Sequence, residues 1–598
     1  MPIESNYINT TTDKTYNTYI FGGNAMFNII GDFGLFHLDQ QYTGTFIRGS
    51  NTGFRDEEKL VFAWQYPLWK QFSLKSEGNW YYTTSRSDRV NELERLNALA
   101  GFRYNFTESG WFDLLAGPEN NTQSGIESTG WIGKTAGIIR YPDLDGYRLN
   151  ASMEGDYLSL SKNRENAAFD INIDTGREFA PGDNLAFSPG YSYQNRDFYQ
   201  FFNTQDTRLL NTESRIENTY RFGVDLKYVL LENMSSFIDF DFRESSYSRF
   251  YKSYLTDFAR TGIKREIDEQ ESFIKGGIQY KLNNFSQELS LEFAFRSEDH
   301  EAVKSESDID PGFFIRESQT LNNQDYKRRI TKLGSSTKYL LSQNDTLSGD
   351  FFVMLTRHDT PSENNNDDKD EFWSIFNLRY GRNISQYLSA TVNTEIYLKH
   401  EVFLKNERSA SNNWNRILRF RPEVRYSRGG FSVNPAFEVL ANYWVYDFED
   451  LTQGVNSYSF REISYKDSIK YKFSNRFSMA STILLRYNER GILYWPDFSE
   501  TPQNKIFEQF YKILAFLDFG KINIGSGFRY SGTERGSLFG QPGSNDVKQF
   551  FLGPEVYLKG MFFNNSSILL TGWYEFQYIS GRLIREIPNL YLRTQINL

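Results

Sequence analysis

The sequence predicts an all-β protein: a single large antiparallel up-and-down transmembrane β-barrel. Three observations predict it. Apolar and polar side chains alternate along nearly the whole chain. Most alternating segments are at least as long as a bilayer-crossing strand, about 9–11 residues, against about 5–6 for ordinary strands. No stretch approaches about 18 consecutive apolar residues, which excludes transmembrane helices.

Residues 565–578, NSSILLTGWYEFQY, show the alternation clearly. Successive strand side chains point to opposite faces. One face carries Ile568, Leu570, Tyr574, Phe576 and Tyr578, with Gly572 among them. The other carries Ser567, Thr571, Glu575 and Gln577, joined by Leu569 and Trp573. The same parity sets Ile238, Phe240 and Phe242 against Asp239, Asp241 and Arg243. It sets Leu289, Leu291, Phe293 and Phe295 against Glu288, Ser290, Glu292 and Arg296, and Val392 and Ile396 against Asn393 and Glu395. In hydrocarbon every backbone polar group must be paired, and only helices and closed barrels achieve that. Ile568, Leu570, Phe576, Phe293, Phe240 and Val392 are therefore expected to face lipid, and the charged parity a wet lumen.

Composition fits such a sheet. Aromatic residues make up 17% of 598 residues, yet mean hydropathy is −0.59. One apolar and one wet face reconcile the two values. A net charge of −10 argues against a nucleic-acid binder, and no basic patch interleaved with stacking aromatics is present. The absence of cysteine removes disulfides, thiolate metal sites, covalent haem attachment and a lipid anchor on this chain. Residues 1–20 lack the basic start and apolar run of a signal peptide, as expected of a mature chain or of a gene start lying upstream. A soluble sandwich, propeller or β-helix is the competing architecture; the latter two would show internal repeats, and none is found.

Short connections at 230–235, 282–286, 341–345, 383–387, 427–431, 474–478, 519–523 and 563–567 alternate with longer polar stretches at 301–323, 358–371, 403–415, 495–505 and 536–546. The turn PDLDG at 142–146 follows from the suitability of Asp and Gly for tight reversals. The count is about 27 strands, bracketed at 26–28, with residues 1–15 as an N-terminal segment or first strand and 16–598 as the barrel.

On this pattern the chain resembles bacterial outer-membrane β-barrels, and in particular their largest plugless members. The resemblance implies short periplasmic turns, long extracellular loops and a place in the Gram-negative outer membrane. Leu590, Leu592, Ile596 and Leu598 alternate as in the final strand of that class, but the last residue is Leu rather than an aromatic. The periplasmic β-domain of lipopolysaccharide-assembly barrels and the plug of TonB-dependent transporters have no counterpart in the sequence. Sheath barrels that surround a multihaem cytochrome in electron-transfer conduits match in size.

Catalytic chemistry is not expected. His37, His300, His358 and His400 are scattered, and no nucleophile-elbow, Walker or HExxH motif occurs. Asp308 and Asp310, with Asp367, Asp368 and Asp370, cluster hard oxygens in loops that could hold calcium, although a solvated loop explains them as well. Arg419, Arg421 and Arg425 point one way along one strand, and Lys466, Lys470 and Lys472 do so nearby. These six form a candidate lumen basic patch for an anionic cargo or partner, set against a lumen in which charges cancel.

A barrel of about 26 strands is roughly 50 Å wide. Left open it would leak, so inward loops, a flattened cross-section or a partner subunit should fill it. The leading expectation is an outer-membrane conduit, not an enzyme, whose polar lumen hosts another envelope protein or passes a bulky substrate. The alternatives are a diffusion porin narrowed by its own loops, a cytochrome sheath, and an outer-membrane enzyme or surface-protein anchor.

Overall fold

The computed structural model describes residues 6–49, 53–86, 90–203, 208–306, 309–449, 456–538 and 547–598. All strands join one antiparallel sheet. Phe431–Val433 and Ala436–Tyr446 both run between Asn413–Arg428 and Tyr458–Lys472. They are one strand interrupted at Asn434 and Pro435, where proline has no N–H to give the ladder. Counted so, the sheet has 28 strands, the upper end of the expected range. It closes on itself: Tyr7–Thr15 pairs with Thr18–Gly31 on one side and with Arg582–Asn597 on the other, Tyr7 standing opposite Asn597. Closure leaves no unpaired edge.

The connections divide between two rims. One rim carries only tight turns, among them those after Leu144, Leu231, Leu340 and Arg428. At 142–146 the expected reversal is present: Asp145 and Gly146 adopt φ of 53° and 84°, and Asp143 accepts a 2.7 Å hydrogen bond from the Gly146 N–H. The other rim carries the longer connections, including a helix, Pro311–Asn322. The stretch 495–505, expected as a loop, is mostly wall, since strand Ser499–Asp518 begins within it. Strands here outrun the bilayer. Arg208–Leu231 has 24 residues, which at a barrel tilt rises about 60 Å, twice the hydrocarbon thickness. Above the membrane both faces are wet, so alternation fades and such segments read as loops.

An aromatic belt fixes where the bilayer sits. On the outer face beside the tight turns, Phe72 packs on Tyr104 at 4.8 Å between ring centroids. Phe285 contacts Tyr280 and Tyr339, and Phe431 contacts Tyr426 and Tyr471. Aromatic girdles mark membrane interfaces. The tight-turn rim therefore lies at one membrane surface, and the wall stands clear of the other.

The barrel is not round. A circular 28-strand wall turns about 13° per strand, yet Lys134 reaches Glu77 at 2.9 Å across three strand steps. Lumen-facing Gly117 shows how. A Cβ there would overlap the carbonyl oxygen of Ala98 on the neighbouring strand, so only glycine permits the close approach of a sharp bend. Gly553 makes the same approach to the Tyr574 carbonyl at a second bend. There Arg529 reaches Glu575 two strands away at 3.6 Å.

Candidate functional site: the charged lumen wall

Contacts that skip strands are possible only on the concave side, which identifies the face bearing Glu77 and Lys134 as the lumen. Cross-strand pairing carries that assignment around the whole wall. Phe240, Phe293 and Val392 fall on the outer face, with Phe293 opposite Ile274 and Ile274 opposite Phe240. Ile568, Leu570 and Phe576 fall there too, opposite Gly560, Leu558 and Leu552. Phe293 is 46% exposed despite its ring, as suits a side chain whose solvent is lipid.

At the first bend the lumen face is packed solid. Leu99, Leu115, Ile132, Leu158 and Leu160 form a buried cluster. Around it, each buried carboxylate is neutralised, because an unpaired charge there would be prohibitive. Asp113 takes two hydrogen bonds from Arg103, at 2.6 and 2.8 Å, and a third from Lys75 at 2.7 Å. Glu119 is gripped by Arg95 at 2.9 and 3.2 Å, and Glu213 by Arg215 and Arg249. The hairpin formed by Asp183–Asn203 and Arg208–Leu231 leans inward over this bend. Tyr199 shares a 2.8 Å hydrogen bond with Ser128, three strands away.

The long-loop mouth is narrowed at a second place as well. Helix Pro311–Asn322 packs Leu321, with Ile309, against Ile263 and Ala302. Those two residues lie in the lumen-facing register of Arg265, which itself pairs with Glu317 of the helix at 2.9 Å. The helix therefore covers the inner edge of the wall. The neighbouring loop 360–368 is tied to its end: Asn365 donates to the Asn323 carbonyl at 2.7 Å, and Ser362 contacts Asn323 at 2.5 Å.

The loop carboxylates proposed from sequence for calcium are separated by this arrangement. Asp308 lies outside the described residues. Asp310 caps the helix by accepting from the Phe313 N–H at 2.7 Å. Asp367 pairs with Arg408. Asp370 faces outward in strand Lys369–Ser385. Asp368 accepts from the N–H and hydroxyl of Thr360 and lies 3.7 Å from Lys405. Burial pushes the Asp368 carboxyl up, but these donors and the lysine outweigh it and hold the group below the usual carboxylate range. Among the described residues no three metal-ligating side chains stand together. The histidines are equally dispersed: His358 stacks on Tyr326, and His400 stacks on Trp414 while contacting Asp447 at 2.8 Å.

The six basic residues named from sequence all reach the lumen face, but they divide into two kinds. Arg419 lies 3.2 Å from Glu395 and 3.7 Å from Glu438. Glu423 stands between Arg421, at 3.9 Å, and Arg425, at 2.7 Å. The arginine half is thus largely neutralised in place. Lys466, Lys470 and Lys472 have no carboxylate partner among the described residues. Lys470 also lines a cavity of about 630 Å3 with Lys512, Lys521 and Lys559. Sequence reading missed Lys521 and Lys559. Lys559 sits at an inward parity in strand Val547–Met561, but only cross-strand pairing shows that it opposes Asn523 beside Lys521.

A closed barrel with an apolar, aromatic-girdled exterior and a charged interior is an outer-membrane β-barrel, in contact with lipid around its circumference. No protein-family model matches the chain, and no curated protein matches it. Among solved structures it is similar to the copper transporter OprC, at 9% identity and a TM-score of 0.40, covering 93% of this chain and 85% of that one. It is similar to the FrpB iron transporter from Neisseria meningitidis, at 9% identity and 0.38, covering 82% of each chain. It is also similar to the siderophore receptor PirA from Pseudomonas aeruginosa, at 9% and 0.36, covering 78% of this chain and 77% of that one.

Proposed function

We propose that the protein is a conduit of the outer membrane whose lumen hosts a partner subunit or passes a bulky substrate. The observation that carries this reading is the width of the closed wall. Twenty-eight strands enclose about 55 Å if circular. The bends reduce that span, and the helix and the leaning hairpin cover parts of one mouth only. Among the described residues no separate domain occupies the lumen. A second chain is the economical plug, and charge complementarity would seat it. Because Arg419, Arg421 and Arg425 already have glutamate neighbours, the attraction rests mainly on Lys466, Lys470 and Lys472.

The test is gentle extraction of the native complex, followed by mass analysis of the chains that accompany the barrel. Neutralising all six basic residues should weaken retention of the partner and reduce the salt sensitivity of whatever binding remains. A native complex containing this chain alone, closed by its own loops, would overturn the partner reading. The inward helix Pro311–Asn322 favours a second reading, a diffusion porin narrowed at its mouth. A small steady conductance of the purified chain in planar bilayers would select it.

A further inference from the structure

Cations on the lumen wall are not treated alike. Near the first bend Lys75, Arg95, Arg103 and Lys134 each have a carboxylate partner. At the second bend, beside the tight-turn rim, the cavity that holds Lys470, Lys521 and Lys559 also contains two acids, Asp518 and Glu555. Neither forms an ion pair with any of these three lysines. Asp518 accepts from the Gly520 N–H at 2.7 Å, closing its own turn. Glu555 is held by Lys512 and, at 3.2 Å, by Arg529. Lys470, Lys521 and Lys559 therefore face the cavity without a carboxylate partner among the described residues. Lys521 borders the strand next to that of Lys559, but the strand of Lys470 is not next to either. Lys470 lies four strands from Lys559, about 19 Å along a flat sheet, and the wall curls between them, since Lys512 reaches Glu555 two strands away, so that both line one cavity.

We propose that this cavity is an anion-binding site at the tight-turn mouth, taking solutes that carry several phosphate or carboxylate groups. Three like charges around one concavity repel one another, and a multivalent anion removes that repulsion while releasing no existing ion pair. Lysine ammoniums act as mobile point charges suited to phosphate as well as carboxylate oxygens. Ser478, Asn523 and Thr571 line the same cavity and supply neutral donors between the lysines. The site shares Lys470 with the docking face proposed above but needs no partner subunit, so the two proposals can fail separately.

The experiment uses the full chain purified alone in detergent, with tripolyphosphate and citrate as probes in titration calorimetry. Wild type should bind at least one of them saturably, and more weakly as salt rises. The variant K470Q/K521Q/K559Q should bind at least about tenfold more weakly. K227Q, which removes a lumen lysine from another part of the wall, should bind as wild type does. Heat-modifiable gel mobility confirms that each variant is a closed barrel. Binding of tripolyphosphate alone identifies phosphate chemistry, and binding of citrate alone carboxylate chemistry. The proposal is overturned if wild type binds neither probe, if the triple variant binds as wild type does, or if K227Q loses affinity equally.

Discussion

Lys134 and Glu77 lie three strands apart in the sheet, yet the lysine Nζ stands 2.9 Å from the glutamate Oε1. Glu77 also has Lys75 at 3.9 Å and the Asn79 amide at 2.9 Å. The bend thus carries an ion network in place of the plain curvature of a round barrel. It places charge against the buried leucines that fill the concavity.

Lys134→Ala should destabilise the barrel by about 1–3 kcal/mol, because it strips one partner from a buried carboxylate that keeps others. Glu77→Gln in the same background should recover part of the loss. Thermal unfolding followed by gel mobility reads both. A Lys134→Ala variant that melts with wild type would show that the bend is held by the leucine cluster alone.

The two faces should respond oppositely to charge. Phe293→Arg and Val392→Arg put a guanidinium into lipid and should cost about 2–4 kcal/mol near mid-bilayer, impairing insertion. Ser290→Arg and Asn393→Arg place the same group in the wet lumen and should insert normally. Insertion yield into vesicles separates them, and equal damage at both parities would contradict the assignment of faces.

The loop at 360–368 should loosen in acid. The folded Asp368 carboxyl titrates below its unfolded value of about 3.9. Its contribution is therefore fully present above about pH 4 and is lost as pH falls through the lower folded value. Amide exchange at Thr360, whose N–H donates to Asp368 at 2.5 Å, should show constant protection down to about pH 4, after correction for intrinsic rates, and falling protection below it. Asp368→Asn should lower protection throughout and remove the pH dependence.

Much of the wall was legible because membrane strands obey a local rule. Parity along 565–578 separates Phe576 from Glu575 with no knowledge of any neighbour, and the tight turns at 230–235 or 427–431 mark strand ends by composition. Legibility failed where the rule stops applying. At 495–505 the strand has left the bilayer, both faces are wet, and alternation no longer distinguishes wall from loop. Parity could place Arg419, Arg421, Arg425 and Glu395 inward but could not reveal that Arg419 meets Glu395 and Glu438, which belong to adjacent strands.

The sequence by itself therefore determined the class of fold, the facing of individual side chains and the approximate strand number, since each depends on the chain's own periodicity and on the need to pair every backbone group in lipid. The tertiary structure alone decided the even count of 28, through the seam between Tyr7–Thr15 and Arg582–Asn597. It also decided the two bends at Gly117 and Gly553, and which lumen charges meet. A bend is a relation between strands: glycine only permits it, and neighbouring carbonyls must move into the space a Cβ would take. Whether Lys134 finds Glu77, or Lys470 shares a cavity with Lys559, depends on how sharply the sheet curls between them, and no single strand encodes that distance.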